Sequence, residues 1–100
     1  MVFLLYACLV MTNWKVKVTK KAAKKALKMP KAVQVLFQTL LVDLIKAGPI
    51  QHEWPNYSRL SQGRFHCQLN YNYVAVWVEE NHELRIIEVN YVGSREDAPY

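Results

Sequence analysis

The run Tyr73 to Val78 constrains the chain most, because it is continuously apolar and rich in β-branched and aromatic residues. Such a run is expected of a central strand, and it needs a partner surface to cover it. The segment from about Lys31 to Ala47 supplies one. Its Val33, Leu36, Phe37, Leu40, Leu41, Leu44 and Ile45 recur at 3-4-3 spacing, the apolar stripe of a helix. Gly48-Pro49 ends that helix, Gly as a C-terminal cap and Pro by forbidding continuation. Lys20 to Met29 contains only Lys, Ala, Leu and Met, all good helix formers, with Thr19 as N-cap and Pro30 as the break. The two helices therefore form a hairpin. Within the first, Ala22, Ala23, Ala26 and Leu27 are the expected packing face, and Lys20, Lys24 and Lys28 fall on one basic face.

Strands account for the remaining patterned segments. Trp14 to Val18 alternates apolar and charged residues with period 2, and so does Phe65 to Leu69. Leu84 to Val92 reads as the last long strand, with turns at Asn70-Tyr71-Asn72 and Asn81-His82. Ile50 to Arg64 is broken by Pro55, Asn56, Ser58 and Gly63 and reads as loop, with a short strand at Tyr57 to Leu60. The predicted order is strand, helix, helix and three antiparallel strands, βααβββ. This is an α+β domain with a helical hairpin packed on one face of a small antiparallel sheet.

One hundred residues suit a single domain with one core. The first ten residues resemble the apolar part of a signal peptide but have no basic start and no small-residue cleavage site. They are read as an extension ahead of a second possible start at Met11, leaving 11–100 as the domain. No apolar run approaches the roughly 20 residues that span a bilayer. Cys8 and Cys67 are read as reduced thiols of a cytoplasmic protein.

Charge divides the chain. Residues 1–50 hold nine Lys against Asp43, and residues 51–100 hold four Arg against seven acidic groups, so a +8 front precedes a −3 back. A basic front suggests a polyanion or an acidic protein partner.

Alternation along the 65–69 strand puts Phe65, Cys67 and Leu69 on the core side and Arg64, His66 and Gln68 on the open side. Arg59 could join them from the preceding loop, and Arg95 and Tyr100 could do so if the tail folds back. His moves protons near neutral pH, Arg holds phosphate, and Tyr stacks on a base or donates a proton. That set suits cleavage of an RNA phosphodiester by its own 2′-hydroxyl, which requires no metal. On spacing alone, a lone exposed His and scattered Arg on a sheet are most often solvated surface. His52, His66, Cys67 and His82 lack the close pairing of zinc ligands, and no P-loop, dinucleotide-binding glycine pattern or Gly-flanked Ser nucleophile is present. No cofactor is expected.

The order of elements, Arg64 to Leu69, Tyr73 to Trp77 and the ending Glu88 to Tyr100 together resemble the RelE/ParE superfamily of toxins, especially RelE-like cytotoxic translational repressors. The resemblance covers about 11–100 and is most specific over Tyr91 to Tyr100. It implies an endoribonuclease that cleaves mRNA in the ribosomal A site, held in check by a cognate antitoxin. On this resemblance Arg95 corresponds to a late-strand arginine that contacts the scissile phosphate, and Tyr100 to a C-terminal tyrosine. His66 and Gln68 occupy strand positions where the founding toxin carries lysines, which makes His66 the proton carrier. Val74 stands where that toxin has another arginine, a role left to Arg59 or Arg64. The resemblance also implies that an antitoxin covers the Lys20, Lys24 and Lys28 face or displaces the tail. ParE-like members share the fold but inhibit DNA gyrase, so a gyrase inhibitor or a non-catalytic binding module is the alternative.

Overall fold

The computed structural model describes residues 13–100 and carries seven elements: β1 (Lys15–Val18), α1 (Lys20–Leu27), α2 (Lys31–Ala47), β2 (Ser58–Ser61), β3 (Arg64–Gln68), β4 (Tyr73–Asn81) and β5 (Ile86–Ser94). The expected α+β class holds. The expected N-terminal extension and alternative start lie outside the described residues. Among the described residues, no helix is long and apolar enough to cross a membrane.

The strands form one sheet in the order β1-β5-β4-β3-β2. β2 to β5 are an antiparallel meander, as expected, with β2 added as an edge strand at Ser58–Ser61. β1 differs from the antiparallel expectation, because it runs parallel to β5, with Val16 opposite Ile87 and Val18 opposite Val89. The sheet is therefore mixed. The helical hairpin carries the chain from β1 across to β2 at the far edge of the sheet, and the meander returns it strand by strand until β5 lies parallel beside β1.

Thr19 caps α1 as predicted, its Oγ1 accepting from the Ala22 N–H at 3.1 Å. The helix ends at Leu27 rather than Met29. Pro30 disfavours helical geometry at the residue before it, and Lys28 and Met29 tighten into a final turn, donating to Lys25 and Ala26 carbonyls. Gln34 from α2 donates its amide to the Leu27 and Met29 carbonyls at 3.2 and 2.9 Å, satisfying acceptors that the break leaves open. Ala22, Ala26 and Met29 are the residues that pack; Ala23 is exposed and Leu27 is 77% exposed, which corrects the expected face. Both instead line a shallow apolar groove with Val18, Phe37 and Leu41.

α2 runs from Lys31 to Ala47, matching its predicted bounds. Val33, Phe37, Leu40 and Leu44 are buried on the sheet, Leu36 and Leu41 half-buried, and Ile45 is at the exposed margin of the stripe. Against them lie Phe65, Cys67, Ala75, Trp77, Ile87, Val89 and Val92. Trp77 is fully buried and donates its indole N–H to the Pro49 carbonyl at 3.0 Å. Gly48 ends the helix at φ 88°, a conformation that glycine adopts without strain.

The β4–β5 pairing contains a bulge. Val76 faces Tyr91 but Trp77 faces Val89, so Asn90 is an extra residue. The bulge reverses the alternation of β5. Ile87 and Val89 face the helices before it and Val92 after it, while Tyr91 turns to the other side of the sheet beside Val74 and Val76.

Candidate active site

The helix-free face is built on three adjacent strands. Register places Ser58 of β2 opposite His66 of β3, and His66 opposite Val76 of β4. Val74, Val76 and Tyr91 form a small second core there, covered by Leu60 and Ala98. Ala98 belongs to the tail, which folds back over the sheet. Its turn is set by Asp97 and Ala98 N–H groups donating to the Ser94 and Arg95 carbonyls.

The fold-back delivers Tyr100 to His66, with ring centroids 4.6 Å apart and planes tilted by 44°. Arg64 donates from Nη2 to the Pro99 carbonyl at 3.0 Å, which pins the tail one residue earlier. His66 Nε2 is 2.7 Å from the Ser58 hydroxyl, whereas Nδ1 is buried without a hydrogen-bond partner. Burial holds the imidazole below the usual histidine pKa, so it is mostly neutral at neutral pH and able to accept a proton. The Tyr100 hydroxyl is raised by burial and partly offset by the positive charge of Arg95.

His66, Arg64 and Tyr100 thus share one patch. Gln68 lies two residues along β3, where its side-chain carbonyl accepts from the Asn56 amide, and its backbone N–H donates to the Pro55 carbonyl at 2.8 Å. Arg59 does not join them, a correction to the expected convergence. It pairs with Phe65, a core-facing residue, and its guanidinium sits over the Phe65 ring at 5.6 Å. Residues directly opposite in a ladder share a face, so Arg59 is committed to the far side of the sheet. Arg95 is at the end of the site. Its N–H donates to the Asn72 carbonyl at 2.8 Å and its guanidinium lies over Tyr71 at 5.6 Å, leaving only its charge to act on Tyr100.

Lys20, Lys24 and Lys28 are all exposed on α1. Their neighbour Lys25 is half-buried, its ammonium 5.3 Å from the centre of the Tyr91 ring. The Cys67 thiol faces the core and burial pushes it up to about 12, so it is chemically inert.

Sequence reasoning missed Ser58 and Tyr71. A signal for Ser58 was present: in the short strand expected at 57–60, alternation sets Ser58 and Leu60 on the face opposite Tyr57 and Arg59.

No protein-family model and no curated protein matches the sequence. Solved structures do match by shape. A RelE–RelB complex from Pyrococcus horikoshii OT3 superposes with a TM-score of 0.68 at 19% identity, over 85% of this chain and 98% of that one. The isolated RelE toxin of E. coli gives 0.66 at 18% identity, over 86% and 88%. The chain has the RelE fold. A third RelE-fold match, in the toxin–antitoxin complex RelBE2 of Mycobacterium tuberculosis, gives 0.57 at 15% identity, over 84% and 100%. At these identities the likeness is one of fold, and the chemistry rests on the side chains that the RelE fold assembles here.

Proposed function

We propose that this chain is the toxin of a toxin–antitoxin pair, a cytoplasmic endoribonuclease that cuts mRNA on the ribosome without a metal. The observation that carries the reading is the joint presence of a neutral imidazole, a guanidinium and a phenol on the helix-free face of a RelE fold. These groups match what RNA transesterification needs. His66 accepts the proton of the 2′-hydroxyl, O2′ bonds to phosphorus, and the bond from phosphorus to O5′ breaks. The products are a 2′,3′-cyclic phosphate and a 5′-hydroxyl. Tyr100 supplies the proton that O5′ takes up and recovers it from the imidazolium beside it, so the site resets. Arg64 stabilises the charge growing on the phosphate; a guanidinium has five N–H donors, and Pro99 engages one nitrogen.

The antitoxin reading rests on charge and shape together. Exposed Lys20, Lys24 and Lys28 flank the apolar groove that Ala23, Leu27, Phe37 and Leu41 line. An acidic amphipathic segment fits such a surface, its charge hastening encounter and its apolar side holding the complex. The Pyrococcus and Mycobacterium proteins of this fold were solved in complexes with their antitoxin-side partners.

Induced expression followed by primer extension on translated mRNA tests the reading. Discrete cuts that vanish in His66→Gln are expected. Growth arrest with intact mRNA and gyrase-linked DNA breaks would replace it with gyrase inhibition, and normal growth would leave a non-catalytic binding module.

A further inference from the structure

We propose that the cleft between the β3–β4 turn and the start of the tail is a subsite for single-stranded RNA, in which one base stacks on the Tyr71–Arg95 pair and the adjoining phosphates run toward Lys25 and Lys28. The proposal rests on the RNA-cleavage reading of the neighbouring patch and extends it to residues outside that patch.

The cleft encloses about 600 Å³ and is lined by Tyr71, Asn72, Tyr73, Ser94, Arg95 and Glu96. That volume lies in the range of small-ligand sites. Tyr71 is 78% exposed, an aromatic ring that contributes almost nothing to the core. It is nonetheless held in place. The Asn70 side chain accepts from the Asn72 and Tyr73 N–H groups at 2.8 and 3.0 Å, and Arg95 clamps the same turn through its bond to the Asn72 carbonyl. The guanidinium over the ring then presents a second flat surface. A rigid, exposed aromatic paired with a planar cation is a stacking platform that every base can use.

A second hollow of about 220 Å³ continues from it, sharing Tyr73 and Ser94 and adding Lys25, Lys28, Met29 and Gly93. Gly93 keeps this passage open. A Cβ there would lie 3.1 Å from the Tyr91 hydroxyl and 3.6 Å from Lys25 Cδ. Across both hollows Arg95, Lys25 and Lys28 outweigh Glu96, so the track is cationic. The platform also adjoins the candidate active site through Arg95, which lies over Tyr71 and whose charge reaches Tyr100. A strand with one base on Tyr71 would thus place a neighbouring phosphodiester toward His66. An acidic peptide would use the lysines but not the stacked pair, so the two hollows together suit RNA.

The test uses the full chain and a short fluorescent 2′-O-methyl RNA, in which the blocked 2′-oxygen prevents cleavage, followed by anisotropy. Tyr71→Ala should weaken binding about tenfold or more, Tyr71→Phe should retain wild-type affinity, and an abasic site in the RNA should reproduce the Tyr71→Ala loss. Replacing Lys25 and Lys28 by Gln should flatten the slope of log affinity against log salt by about 1.4. Undetectable wild-type binding, a Tyr71→Ala variant that binds as wild type, or polyglutamate competing as well as RNA of equal charge would each overturn the subsite. Tyr71-dependent binding by a protein that cleaves no mRNA would keep the subsite and defeat the nuclease reading. Cleavage with binding indifferent to Tyr71 would do the reverse.

Discussion

Replacing Gly48 by Ala tests how the helix end is joined to the site, and two separate costs can be read from the structure. Gly48 has φ 88° and ψ −163°, a region that only glycine occupies readily, so a side chain there strains the backbone by about 1–3 kcal/mol. The added Cβ would also lie 2.6 Å from Trp14 Nε1 and 2.8 Å from Cε2, too close for either atom to stay put. Trp14 packs on the core, and its backbone N–H donates to the Ile45 carbonyl at 2.9 Å, which anchors the residue, so forcing its ring out of that packing costs about another 1–3 kcal/mol. Alanine recovers about 0.4–1 kcal/mol by restricting the unfolded chain. The net loss is about 3 kcal/mol, which for a domain of this size lowers Tm by about 12–24 °C. Thermal unfolding followed by circular dichroism reads it. The double variant with Trp14→Ala separates the two causes, because without the indole the collision vanishes and the combined loss should fall short of the sum of the single losses. A drop in Tm below about 4 °C would refute the strain argument, and strictly additive losses would refute the collision. The loop that begins at Gly48 also carries Pro55 to the Gln68 N–H and Ser58 to His66, so cleavage should weaken along with stability.

Three further outcomes are expected. His66→Gln should slow single-turnover cleavage about 10²–10⁴-fold with little change in Tm. Because burial lowers the imidazole pKa, the wild-type rate should hold as pH falls to the ordinary histidine value and decline only below it; a decline centred above that value would contradict a desolvated base. Arg64→Ala should reduce cleavage strongly and Arg59→Ala weakly, since the two side chains lie on opposite faces of the sheet, and equal effects in a matched assay would disprove the facing assigned to Arg59. Charge reversal at Lys20 and Lys24, which lie outside the RNA track that Lys28 lines, should slow association with the antitoxin far more than it alters cleavage, and the remaining rate should lose much of its salt dependence; stopped-flow rates indifferent to both would remove α1 as the docking surface.

Much of the fold was legible because it depends on local patterns. The 3-4-3 stripe and Gly48-Pro49 delimit α2 without reference to any other part of the chain, and the apolar run at Tyr73 reads as a central strand because both of its faces are covered. Alternation was enough to set His66 apart from Phe65 and Cys67. Three features could be decided only by tertiary contact. The parallel pairing of β1 with β5 depends on the hairpin crossing to the far edge and the meander returning toward β1, which residue periodicity does not encode. The bulge at Asn90 moves Tyr91 onto the face of Val74 and Val76, and an alternation count along β5 assigns it to the wrong side. The tail has no periodicity at all. Its fold-back is set by Ala98 packing on that second core and by Arg64 reaching the Pro99 carbonyl, contacts between residues far apart in sequence. Residue identity was therefore sufficient to nominate His66, Arg64, Arg95 and Tyr100, but their division of labour was not readable from it. Tyr100 lies on His66, while Arg95 is drawn to the exposed ring of Tyr71, because a planar cation gains more from a held aromatic face than from solvent.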